Sequence, residues 1–264
     1  MDRVTHAMAP SLRLLASVAK PAAGFGALLL LWQWGAPVAG IPRYVLPLPT
    51  AIAGRFAETF GVQLAGLAAT GFTTIVGLAL ALVLGVLMAL SVIYVPMLRA
   101  LIMPLLAAFN SIPKIAVAPL FVIWFGLGVE SKVLLAFLLA LFPVFVNALT
   151  GLGEIEPDLL DLSILAGGTP WRIFLKVRLM NAVPYITDAL KVAFPLALVG
   201  SIVGEFIGGN EGIGHLILLG QFDLDTPLVF AALASITAFT TLGIAAIALF
   251  ERAVLKWRPS QRRR

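Results

Sequence analysis

Cysteine is missing altogether, so the chain can form neither thiolate metal sites nor internal disulfides, although its absence says little about compartment. Histidine occurs twice, at His6 and His215. These two fall on opposite sides of the membrane in the topology reached below, so no shared metal site is expected. Charge is scarce too. Charged residues make up 12% of the chain and hydrophobic ones 61%, whereas an average soluble domain is roughly 25% charged, which argues against a water-soluble fold. No G-x-x-x-x-G-K-[ST] phosphate loop is present, so any nucleotide must be hydrolysed on another chain. Gly208, Gly209, Gly212 and Gly214 do not follow a strand, which removes a dinucleotide fingerprint. No catalytic constellation is visible, and no enzymatic activity is expected of the chain itself.

What the sequence does have is apolar runs of roughly 20 to 30 positions. Each is long enough to cross a hydrocarbon layer about 30 Å thick at about 1.5 Å per residue. The net charge of +5 could suggest nucleic acid, but the basic residues lie between and beyond the apolar runs rather than on one solvated face. That distribution reports membrane orientation, and no nucleic-acid partner is expected. Arg3, Arg13 and Lys20 precede the first apolar run as they would in a secretory signal. Five further hydrophobic segments follow, so the first is read as a retained span.

The pattern predicts an all-α, multi-pass membrane protein with about six transmembrane helices. The first span covers Ala22 to Val38 and ends in a proline-rich stretch, Pro37 to Pro49, that forbids a continuous helix. Ala51 to Gln63 carries Arg55 and Glu58 among apolar residues and reads as an interfacial helix. A long uncharged run, Leu64 to Val95, supplies the second crossing. The third lies between Arg99 and Glu130, where Pro104, Asn110, Pro113, Lys114 and Pro119 rule out a regular helix. Crossings four to six are Val133 to Leu152, Val183 to Ile207 and Leu228 to Phe250. The corresponding division is a cytoplasmic segment 1–21, a permease domain 22–250 and a basic cytoplasmic tail 251–264.

With the amino terminus in the cytoplasm, the inner side receives Arg3, Arg13, Lys20, Arg99, Arg172, Lys176, Arg178, Lys191, Arg252, Lys256, Arg258, Arg262, Arg263 and Arg264. The outer side keeps Arg43, Arg55 and Lys132, while Lys114 falls within a span. This is the positive-inside asymmetry of an even number of crossings with both termini cytoplasmic.

The long inner loop, residues 153–182, is not built as a plain connector. Pro157 suits the first turn of a helix through Asp158, Leu159, Leu160, Asp161, Leu162 and Leu165. Gly167 and Gly168 stop that helix, and Thr169 and Pro170 begin another. The second helix, Trp171 to about Leu179, sets Trp171, Phe174 and Leu175 on one stripe and Arg172 and Lys176 on another face. A knob of this kind suits either lipid headgroups or a protein partner.

Asp161-Leu162-Ser163, three residues, Gly167, then Trp171-Arg172-Ile173-Phe174 and Val177-Arg178-Leu179 resemble the EAA loop of ABC importer permeases, most closely the nitrate/sulfonate/taurine class. Pro42 to Pro49 resembles that family's proline-rich stretch. Ile112-Pro113-Lys114-Ile115-Ala116 through Ala118-Pro119-Leu120 to Trp124-Phe125-Gly126-Leu127-Gly128 is similar to its third-span signature. Gly204-Glu205-Phe206 and Gly212-Ile213-Gly214 fall where the family has an acidic residue and a Gly-x-Gly. Leu162-Ser163 in place of two alanines, Gly168, Met180-Asn181 in place of a proline-bearing step, and Pro195 depart from the pattern.

The resemblance implies a type I importer fold in the bacterial inner membrane. It implies that Asp161, Leu162, Ser163, Gly167, Gly168, Trp171, Arg172 and Phe174 form a coupling loop docked on a cytoplasmic ATP-binding subunit, which would carry ATP and Mg. A second permease copy or close relative would complete the pathway, and an external solute-binding protein would deliver the solute. Sulfonates, taurine, nitrate, bicarbonate and vitamin precursors all fit the class.

Asn110, Lys114, Asn147 and Glu205 are the candidates for the pathway or its gate. Lys114 in the broken span suits an anionic solute, or it bonds nearby free carbonyls. Asn110, Ser111 and Asn147 are of a type that more often joins helices to one another than binds a substrate. Glu205 follows Pro184 by 21 positions, about 30 Å of helix. It therefore lies near the outer interface, reaching headgroup water or serving a gate or helix packing. The rival reading is an ATP-independent secondary transporter or channel, which has few coupling charges to draw on here and no use for the loop.

Overall fold

Apolar runs that cannot leave backbone groups unpaired in hydrocarbon must form helices, and helices are the only regular structure among the described residues. The computed structural model describes residues 10–255, with side chains from residue 23 onward. His6 and most of the basic tail lie outside them. The helices are α1 (Pro10–Val38), α2 (Pro49–Glu58), α3 (Phe60–Tyr94), α4 (Pro96–Ser111), α5 (Ala118–Phe125), α6 (Val129–Gly153), α7 (Pro157–Leu165), α8 (Pro170–Gly208), α9 (Ile213–Phe222) and α10 (Thr226–Val254).

Four of these, α3, α6, α8 and α10, are long and apolar enough to span a bilayer, and α4 with the following Lys114–Phe125 forms a fifth unit bent by 87°. In α1 the apolar stretch is Ala23–Val38. The bent unit traverses the bundle. α3 ends beside Arg178, whose guanidinium lies over the Tyr94 ring, whereas α6 begins at the opposite end, where Lys132 donates to the Glu211 carbonyl. The chain between them has to run from one end to the other.

The core is α3, α6 and α8, packed through small residues. Thr70, Thr74, Gly77, Ala81, Gly85 and Ala89 form a buried stripe on α3, facing Ala136, Ala140, Val144 and Ala148 on α6 and Ala189, Ala193, Ala197, Gly200 and Gly204 on α8. Lipid tails are as apolar as leucine, so such helices gain from close backbone approach rather than from hiding hydrophobic bulk. A Cβ added at Gly200 would sit 2.6 Å from the Leu135 carbonyl oxygen. Pro143, Pro184 and Pro195 lie inside α6 and α8 without ending them, as neighbouring helices permit.

Polar ties fix the periphery. Arg55 on α2 bonds Asp225 at 2.7 Å and Glu58 at 3.0 Å; bonds to Glu58 and Asp225 hold its proton more firmly than usual. The other oxygen of Asp225 caps α10 by accepting the Leu228 N–H. Lys191 joins α8 to α10 through Glu251 at 2.6 Å.

The helix that carries the first apolar stretch reaches back to Pro10. Two expectations need correcting. The interfacial helix stops at Glu58 and not at Gln63, which is buried and bonded to Ser235 within the bundle. The second concerns α8: it is one helix of 39 residues, because Leu179 to Ala182 hold no glycine or proline that would part the second loop helix from the fifth span.

Gly200→Leu is expected to abolish the folded, monodisperse protein in mild detergent, since the overpacking lies against backbone and not against a flexible side chain. Gly54→Leu, with nothing within 4 Å of an added Cβ, should leave the size-exclusion profile unchanged.

Candidate functional site

Pro157 opens α7, and a pair of crossed bonds closes it. The Gly167 N–H donates to the Ile164 carbonyl and the Gly168 N–H to the Ser163 carbonyl, each at 2.9 Å, with Gly167 in the left-handed region at φ +77. This is the Schellman arrangement, which needs a residue free to take positive φ. Gly168 is required for space: a Cβ there would lie 2.6 Å from the Ser163 oxygen. Thr169 Oγ1 accepts the Arg172 N–H at 3.3 Å and starts α8 with Pro170 in its first turn. At this tip Leu162 is 64%, Leu165 85% and Trp171 67% exposed, Asp161 and Arg172 face outward, and Trp171 stacks on Phe174.

The root of the loop holds residues that sequence reasoning did not single out for a role. A π-helical turn, Phe174–Arg178, lies just inside α8. Its last residue, Arg178, donates through Nη1 to the Leu152 carbonyl at 3.0 Å. Asn181 Nδ2 donates to the carbonyls of Gly151 at 2.8 Å and Glu154 at 3.0 Å. Donors from α8 thus cap the open carbonyl end of α6, which would otherwise lack partners. Asn181 stands at the step read above as a departure from the family pattern, and it offers a donor that proline could not.

The four pathway candidates do not converge. Lys114 Nζ donates to Asn110 Oδ1 at 2.8 Å, so these two share a place at the elbow between α4 and α5. Asn147 folds back on its own helix and donates to the Pro143 carbonyl at 2.8 Å.

Glu205 is 1% exposed and does not reach headgroup water. Its Oε1 accepts the Thr70 hydroxyl at 2.7 Å and its Oε2 the Gly214 N–H at 2.8 Å, while Thr70 Oγ1 accepts the Ile213 N–H at 2.9 Å. Gly212, at φ +115, and Gly214 leave the space the carboxylate fills, for a Cβ on either would collide with it. The Gly-x-Gly and the acid are therefore one construction joining α3, α8 and α9. Among the described residues no group of three or more His, Asp or Glu could hold a metal.

A family model described as "Binding-protein-dependent transport system inner membrane component" matches residues 81–256. The riboflavin transport system permease protein of Chloroflexus aurantiacus is 33% identical over 259 residues, covering 96% of this chain and 97% of its own. A putative aliphatic sulfonates transport permease protein of Bacillus subtilis is 30% identical over 241 residues, covering 88% and 85%. Among solved structures, a chain of the inward-facing MetNI methionine ABC transporter matches with a TM-score of 0.65 over 75% of this chain and 98% of that one, at 20% identity. That last likeness concerns the fold.

Glu205→Ala would strand the Thr70 hydroxyl and the Gly214 N–H in the core, at about 1–3 kcal/mol for each unpaired group. A lowered melting midpoint in detergent is expected, with Glu205→Gln intermediate because the amide keeps one acceptor. An unchanged midpoint for both variants would show that the carboxylate does not hold α9 in place.

Proposed function

The chain belongs to the family of binding-protein-dependent transport system inner membrane components, and from that premise we propose that it is half of the pathway of an ATP-driven importer for a small anionic solute, with α7 as the handle through which a cytoplasmic ATPase subunit works it. The observation that carries the proposal is the α7 tip. It is a rigidly turned helix end presenting Leu162, Leu165 and Trp171, fixed by two glycines at one side and by the Arg178 and Asn181 bonds at its root. A free apolar tip on a stiff mount suits insertion into a groove on a partner.

The other half of the pathway comes from a second copy or a close relative. ATP and Mg reside on the ATPase subunits. As those subunits close, α7 is carried with them, and α6 and α8 follow because the loop root is bonded to both. The path then opens toward the solute-binding protein outside, and hydrolysis resets it. In this orientation Arg99, Arg172, Lys176 and Arg178 lie at the α7 end and Arg43, Arg55 and Lys132 at the other, as the positive-inside rule favours. α1 and α10 then both point their outer termini to the cytoplasm. An ATP-independent transporter would have no evident use for α7. One relative's name refers to aliphatic sulfonates, in keeping with an acidic solute, and another's to riboflavin, which is uncharged, so the anionic part of the reading rests on Lys114 and not on the relatives.

Gly167→Val forces a branched side chain into the left-handed region at about 1–2 kcal/mol or more. The expected result is a protein that still inserts and co-purifies with its ATPase subunits, with uptake down about tenfold while ATP hydrolysis continues. Uptake and coupling equal to the native complex would count against α7 as the handle.

A further inference from the structure

The elbow between α4 and α5 interrupts the regular backbone of the bent unit. α4 stops at Ser111, Ile112 and Pro113 are extended, and Lys114–Val117 form a single 3₁₀ turn before α5. The Lys114 ammonium lies 6.0 Å from the centroid of the Phe142 ring. Phe142 stands near the middle of α6, about 20 Å along the helix from Val129 and about 16 Å from Gly153. Lys114 is therefore held far from either end of a spanning helix.

Its polar partner there is neutral. Asn110 Oδ1 accepts from Nζ, and no carboxylate pairs with Lys114 among the described residues. A cation at that depth is strongly unfavourable against lipid, and so is broken backbone, so this surface faces protein or a water-filled path. Beside it lies a cavity of about 260 Å³ walled by Met88, Ile102, Leu106, Leu138 and Phe142. Its walls are apolar, and Lys114 and Asn110 are its polar residues.

We propose that Lys114 and Asn110 form the station on the path where the acid group of an organic anion is held, with the apolar cavity taking the solute's carbon body. Lys114 supplies the charge. Asn110, whose oxygen is turned to Nζ, keeps its amide N–H groups to donate to the same acid. An inorganic anion such as nitrate would gain the charge but leave the rest of its hydration unreplaced against apolar walls. A neutral solute would leave the ammonium uncompensated. A lipid headgroup is excluded by depth. The proposal rests on the importer reading and narrows it to amphipathic anions of modest size.

The test uses the assembled complex, permease pair with ATPase subunits, in nanodiscs without binding protein. Binding of butanesulfonate, nitrate and 1-butanol is measured by calorimetry. The native complex should bind butanesulfonate at least about tenfold more tightly than either of the others. Lys114→Gln should erase that preference, Lys114→Arg should keep most of it, and Asn110→Ala should weaken it a few-fold. Equal affinity for butanesulfonate and 1-butanol in the native complex, or undiminished butanesulfonate binding by Lys114→Gln, would overturn the proposal. Pairing of Lys114 with a carboxylate of the other permease would give the first of those results. Should Lys114→Gln fail to assemble, the native comparison and Asn110→Ala still decide. Failure of the importer reading shows separately, as a complex from which ATPase subunits are missing.

Discussion

Backbone contact among α3, α6 and α8 is the constraint on which the rest depends. With glycine and alanine at the crossings, the three helices approach until a single added Cβ at Gly77 or Gly200 would strike the main chain of α6. Packing this close leaves little room for gradual deformation. The three helices are therefore held together as one packed unit. Some of its buried polar groups are paired inside it, Thr73 and Thr74 with Ser201 and Thr70 with Glu205, while Glu205 and Gln63 also reach out to α9 and α10.

That body is finished differently at its two ends. At one end Glu205 is fully enclosed and bonds α3 and α9, so α9 is a plug held by internal bonds. At the other, the carbonyls that end α6 are taken by Arg178 and Asn181 from α8, and α7 projects beyond with its apolar tip uncovered. The root of α7 is thus bonded to both α6 and α8. A loop tethered only by its chain ends would swing without moving either.

Much of this was legible in the sequence, and the limits follow from physics. Apolar runs between charges located the spanning parts of α3, α6, α8 and α10 though not where α3 and α8 begin, and Pro113 with Lys114 announced the broken crossing. Gly167 was readable because a reversal between helices needs positive φ whatever surrounds it. The bond from Glu205 to Thr70 was not, since the partners are 135 residues apart and only packing of α3 on α8 joins them. For the same reason Glu205 could be placed near the outer interface by counting turns but not recognised as enclosed. The ten residues of α9 sit between glycines and an Asp-rich turn and carry no pattern that tells a short buried helix from a loop. Asn181 looked like a lapse from the family pattern because its use depends on carbonyls 27 and 30 positions away.

The bent segment stands apart from all of this. In α4 and α5 only Leu106 and Ala118 are buried, while the helices behind them are close-packed. A lysine, an asparagine and an unwound stretch are thus left on an open face of a chain meant for lipid, where open polar backbone is not tolerated. The contradiction resolves if that face is interior to a larger assembly. A second permease across from it would turn an unsuitable surface into the wall of a path, and the irregularity that weakens the single chain would then be what such a pairing uses.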